Sequence, residues 1–246
     1  MSQPWPPSLS VTLFDEIGTG GGLAPAVAQR LAEAISMGLI ADGEQLPSET
    51  DLAAQLAIST VSLRAALAIL RQEGLVETRR GRNGGSFIRA PRDYSARKST
   101  ARLGHLSPSQ LRDLGYEVLA ITGIVASLAA RRFDDDNIAR LEDLASQLAA
   151  AGSAAQCLRL DSRLRIELAV SSQSERLMRR MVSLQAEYSE LLWIPAVGID
   201  QVECAEQHQE LTKAIQAGDP DLARSLAETQ VRDSTRRIVD LRLGMD

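Results

Sequence analysis

Apolar residues recur every three or four positions over most of this 246-residue chain, and strand-like runs occur in one place only. The spacing of Val27, Leu31, Ala34 and Ile35 predicts a helix from about Ala24 to Met37, with Gly38 near its end. "LIADGEQLP" follows as a turn stopped by a proline. Ser48 then stands where a helix cap belongs, with Asp51 three residues on and Leu52, Ala53 and Leu56 along an apolar face. Ser59 caps a further helix, whose inward side is predicted as Val61, Leu63, Ala66, Leu67 and Leu70, and Gly74 ends it. "LVETRR" and "GSFIRA", joined by "GRNG", read as a two-stranded hairpin.

The remainder is helical in pattern. "SPSQL" from Ser107 combines a serine cap, a proline at the first helical position and Gln110 for a capping box. Helices are predicted over 108–132, 135–151, 154–171, 174–193, 200–217 and 220–242. Between them and the hairpin, residues 91–106 are basic and polar with no visible period, and read as a linker. Residues 1–22 are rich in Pro, Gly and Ser and read as a mobile arm. The fold expected is mainly α: a winged helix-turn-helix over 23–90 and an all-α antiparallel helical bundle over 107–246.

Composition narrows the class. The chain is 44% hydrophobic and 24% charged, with only 3% aromatics, which suits close-packed helices in a globular protein. The longest apolar stretches are interrupted by charged residues or Gln, so no membrane span is expected, and "MSQPWPPSLS" lacks the basic head and apolar core of a secretion signal. A cytoplasmic protein is the expectation. Cys157 and Cys204 follow no ligand-like spacing and read as buried thiols. The net charge of −5 conceals an asymmetry: ten Arg/Lys stand against three Asp/Glu between Arg64 and Arg102, and 17 against 29 elsewhere. One compact basic segment on an acidic chain points to a local polyanion contact, a solvated basic loop being the plainer alternative.

Helix, tight turn, helix and hairpin, in that order, describe a winged helix-turn-helix, whose second helix enters the major groove of DNA. On this reading Ser48, Thr50, Ser59, Thr60, Ser62 and Arg64 meet phosphates or base edges. Arg79, Arg80, Arg82, Asn83, Gly84 and Gly85 then form the wing that approaches the backbone or the minor groove.

At these residues a family comes into view. "GLIADGEQLPSETDLAAQLAIS", "LRAALAILRQEGLVETRRG" and "GGSFI" resemble the DNA-binding domain of the GntR family of bacterial transcriptional regulators, from about Leu23 to Arg89. Two positions depart from that pattern. Thr50 follows the "PSE" motif where the family has a basic residue, and Thr60 stands where it has an arginine; Arg64 matches a later family arginine. Threonine cannot make the bidentate guanine contact of arginine, so the family's usual operator preference does not carry over.

"SLAARR", "DSRLRIELAVSSQSERL" and "HQELTKAIQAGDPDLARSLAETQ" resemble the helical effector-binding (FCD-type) domain of the FadR branch, over roughly Leu106 to Leu241. In many members an Asp and three His hold a divalent metal. The matching positions here are Asp161, Arg165, His208 and Gln230. Arg165, at i+4 from Asp161, is permanently cationic and has no lone pair to offer, so no metal cofactor is expected. It would instead pair with Asp161 and offer its other donors to an anionic effector such as a carboxylate. The alternatives are a purely structural Asp–Arg pair and a core histidine at 208. Val118 and Thr122 stand where the family has Arg and Glu, which implies a partly apolar effector. The resemblance also implies a homodimer on double-stranded operator DNA.

Three functions compete at this point. The leading one is a ligand-responsive transcriptional regulator. An enzyme would need groups converging with Asp161 and His208, such as Glu167 or Glu206, and no nucleophile elbow or phosphate loop accompanies them. A winged helix that binds a protein partner is the third.

Overall fold

The structure is a computed structural model that describes residues 22–36, 40, 42–79, 84–89 and 94–245. The N-terminal arm expected over 1–22 lies outside them apart from Gly22, as do Arg80, Arg82 and Asn83. The chain divides into two compact units, Met1–Arg92 and Asp93–Asp246.

In the first unit α1 (Leu23–Ser36), α2 (Glu49–Gln55) and α3 (Thr60–Gln72) precede a hairpin of β1 (Val76–Arg79) and β2 (Gly85–Ile88). Val27, Leu31, Ile35, Leu52, Leu63, Leu67 and Leu70 bury the facing sides of the three helices. The corner between α2 and α3 bends the chain by 106°, with Ala57 in the left-handed region at φ 52°. Both expected serine caps form: Ser48 accepts from the Asp51 amide and Ser59 from the Ser62 amide. Gly74, at φ 75°, stops α3, and the Leu75 amide reaches back 2.8 Å to the Leu70 carbonyl. The strands are antiparallel, pairing Val76 with Ile88 and Arg79 with Gly85. The expected turn before α2 also does more than turn. Its Gly43 and Leu46 amides donate to Ile88 and Ser86, and Glu44 accepts from Ile88, which covers the outer edge of β2.

One core expectation fails. Val61 is 74% exposed, whereas Leu63, Ala66, Leu67 and Leu70 are buried as expected. With α3 starting at Thr60, Val61 lies two residues, or about 200°, from Leu63 and so on the opposite side of the helix.

The second unit is a helical bundle of α4 (Tyr94–His105), α5 (Pro108–Arg132), α6 (Asp135–Ala149), α7 (Ala154–Ser171), α8 (Glu175–Leu192), α9 (Gln201–Gln216) and α10 (Pro220–Leu243). A single 3-10 turn, Pro195–Val197, separates α8 from α9. The residues expected as an irregular linker are thus largely helix α4. That helix is held by tertiary contacts: Leu103 is fully buried, and Arg102 donates to the carbonyl and carboxylate of Glu187 on α8. The capping box of Ser107 and Gln110 forms as expected, and Asp134 with Asn137 makes a second one.

Helix α5 is long and apolar enough to cross a membrane, contrary to the expectation from its interrupted sequence. Here its apolar positions, among them Leu111, Val118, Val125 and Ala129, are core. Its two glycines set the packing against α10. A Cβ on Gly115 would lie 2.4 Å from Thr235 Cγ2, and one on Gly123 2.6 Å from Glu228 Oε1. The partner numbers fall as the glycine numbers rise, so α5 and α10 run antiparallel at close range.

Candidate DNA-binding face and buried polar site

The winged unit presents the start of α3 to solvent. Ser59 and Arg64 are exposed, and Thr60 and Ser62 are half-buried. The serine hydroxyls have local tasks. Ser59 Oγ accepts from the Ser62 amide at 3.0 Å and lies 2.9 Å from Ser62 Oγ, while Ser48 donates to the Asp51 carboxylate at 2.6 Å. Thr50 is exposed on the first turn of α2. Arg64 Nε donates to Glu49 Oε2 at 2.6 Å, and that hydrogen bond, reinforced by the carboxylate's charge, raises the guanidinium's pKa further.

On the hairpin, Arg79 and Arg89 share one carboxylate, Glu77, at 2.6 and 2.7 Å. The hydrogen bond from Arg89 and then that from Arg79 hold Glu77 below its ordinary pKa. The Arg79 guanidinium also lies 4.2 Å from the centroid of the Phe87 ring. Gly84 accepts from Gln45 Nε2 at 3.1 Å. Gly85, at φ 154°, holds a backbone conformation that L side chains rarely adopt, and a Cβ there would lie 2.7 Å from the same nitrogen. These glycines fit the wing against the segment before α2.

In the bundle, α7 carries Asp161 and Arg165 one turn apart, both buried. Arg165 Nε donates to both carboxylate oxygens of Asp161, at 3.1 and 3.2 Å. Trp193 Nε1 donates to Oδ2 at 3.2 Å, and His208 Nε2 lies 2.9 Å from Oδ1. Burial pushes the Asp161 carboxyl up, but the Arg165 charge, followed by His208 and Trp193, outweighs it and holds the group well below the usual carboxylate range. An ionised carboxylate only accepts, so the His208 proton sits on Nε2.

The terminal nitrogens of Arg165 make no hydrogen bond among the described residues, although the side chain is only 2% exposed. The arginine lines a cavity of about 30 Å³. Gln230 borders the same cavity but donates to the Gln207 carbonyl at 2.8 Å, and makes no bond to Asp161. A larger cavity of about 340 Å³, lined by Cys157, Trp193 and Pro195 among others, shares Leu192 and Ile199 with the small one.

Three residues here escaped the sequence reading. Trp193 follows the end of α8, and Tyr188 lies one turn inside it, its phenol pushed up to about 12 by burial. Cys204 brings its sulfur within 4.8 Å of ligand atoms of Asp161 and His208. The i, i+4 spacing of Cys204 and His208 on α9 could have disclosed it.

This donor set suits a guanidinium better than a divalent ion. The Asp161 oxygens already accept from three N–H groups, and a buried cation stands beside them. Burial also raises the Cys204 thiol well above its ordinary pKa, away from the thiolate a metal binds. Nor do the carboxylates considered for acid–base chemistry converge on the site: Glu167 bonds Asn137 and Arg140, and Glu206 is exposed.

A winged helix-turn-helix in the same chain as a helical bundle with an enclosed polar site defines a class, the DNA-binding transcriptional regulators with a separate regulatory domain. The chain belongs to the GntR family: the profile of bacterial regulatory proteins, gntR family, matches residues 23–87, and that of the FCD domain residues 118–233. It is 35% identical over 223 residues to RmpR, an HTH-type transcriptional regulator of Mycobacterium gastri, across 89% of this chain and 81% of that protein. It is 29% identical over 223 residues to the L-lactate dehydrogenase operon regulatory protein of Escherichia coli (strain K12), across 82% and 81%. The structure of E. coli McbR/YncC has the same fold, with a TM-score of 0.54 at 18% identity over 92% of this chain and 99% of that one. The chain is a transcriptional regulator and not an enzyme.

Proposed function

We propose that the bundle binds a small anionic metabolite on the terminal N–H groups of Arg165, and that binding alters the affinity of the winged helix for its operator. One observation carries this reading: a buried guanidinium that lines a cavity and bonds Asp161 through Nε alone among the described residues. A carboxylate matches the guanidinium fork, and a charge-assisted pair with it is strong. Asp161, with His208 and Trp193 behind it, fixes the arginine in place; Gln230 offers a neutral contact at the cavity edge. Arg165 takes the place of an ion, and no metal is needed.

A space of about 30 Å³ holds a single water. A metabolite therefore requires Leu192 and Ile199, which border both cavities, to move. That gives a liganded and an unliganded arrangement of the α8–α9 connection, and differential affinity for the two is what regulation requires. The regulator works in the cytoplasm as a homodimer, each copy reading one half-site.

Mass spectrometry of small molecules released on denaturation, with a thermal-shift panel of small carboxylates, tests the proposal. L-lactate belongs in the panel because the E. coli relative is named for an L-lactate dehydrogenase operon. At least one carboxylate should raise the unfolding midpoint of the wild type and not of Arg165→Met. Near-stoichiometric zinc or nickel in protein purified without chelator would refute the ion-free site.

A further inference from the structure

Val61 is the most exposed large apolar side chain among the described residues, at 74%, and it lies in the first turn of α3, the second helix of the helix-turn-helix. Ala65, one turn on, is also exposed. Of its neighbours, Ser59 is bonded to Ser62, and Arg64 is paired with Glu49. The N-terminal residues of such a helix meet base edges in the major groove. Valine can neither donate nor accept a hydrogen bond there. The apolar group that the major groove offers it is the 5-methyl of thymine.

We infer that Val61 reads a thymine 5-methyl group in each operator half-site, so that this regulator selects one A·T pair by apolar contact where a polar side chain would use hydrogen bonds. The inference rests on DNA binding by the winged helix and adds a residue that sets its specificity. It also accounts for an exposed valine at the front of a DNA-reading helix, where burying it against a methyl recovers part of the cost of wetting it.

The test uses the full-length protein and a duplex that it selects from a random pool. Each thymine of one half-site is replaced in turn by deoxyuridine, which removes only the methyl, and affinity is read by fluorescence anisotropy. At one position the wild type should lose about fourfold, the scale of one buried methyl. Val61→Ala should bind the unmodified duplex correspondingly more weakly and be indifferent to deoxyuridine at that position. Val61→Thr, which keeps one methyl, should fall between. Equal unfolding midpoints for the three proteins exclude a folding defect, as expected for so exposed a side chain. If no deoxyuridine substitution weakens the wild type, or if the loss is the same in Val61→Ala, the inference is wrong.

Discussion

Arg64 and Arg165 each lay a guanidinium Nε against a carboxylate, yet the two units place them in opposite surroundings. Arg64 meets Glu49 at 2.6 Å with 67% of its side chain exposed. Arg165 meets Asp161 at 3.1 Å with exposures of 2% and 0%. Water and salt screen the first pair, so a DNA phosphate can take the place of Glu49 with little loss. The second is shielded from bulk solvent, and the small cavity that Arg165 lines is the space left for a further acceptor. An exposed pair is exchangeable and suits a nucleic-acid surface. A buried pair is fixed and suits a ligand that must be told from others.

Breaking the buried pair should have the largest effect. Asp161→Ala leaves a buried, unpaired arginine and should cost about 3–5 kcal/mol in denaturant unfolding; a loss below about 1 kcal/mol would mean that water already reaches the pair. The same carboxylate sets an acid limb. Its native pKa lies below its unfolded value, so its contribution is whole above about pH 4 and is lost as the pH falls through the native value. The stability gap between wild type and Asp161→Asn should therefore narrow below about pH 4.

On the exposed side the effects are smaller and depend on salt. Arg64→Ala should weaken DNA binding at all sequences by about three- to tenfold at low salt and reduce the slope of log K against log salt by about one. Glu49→Gln, which frees Arg64, should tighten binding by about two- to threefold at low salt, with the gain vanishing as salt rises. If Glu49→Gln changes nothing, Arg64 was never held back by its partner.

The same contrast explains what the sequence disclosed. Local signals read correctly: the caps at Ser48, Ser59 and Ser107, the stop at Gly74 and the helices from Pro108 onward all form. They depend on residues within a turn or two of one another. Helix α4 was missed because its support comes from Glu187, 85 residues away, and from the burial of Leu103. Val61 faces outward because apolar character alone does not fix an inward position, and the helix phase set by Ser59 turns it out. At the buried site, the i, i+4 spacing of Asp161 and Arg165 announced their pairing. Trp193 and Cys204 reach the same carboxylate only through the packing of α8 and α9 on α7.

In the proposed function, Arg165 senses a ligand and leaves DNA recognition to the winged helix. Operator binding by wild type and Arg165→Met, with and without the carboxylate that stabilises the wild type, tests it most directly. The two proteins should bind operator alike when unliganded, and only the wild type should change its affinity when the carboxylate is added. An equal response in Arg165→Met, or loss of unliganded operator binding in that variant with its fold intact, would contradict it.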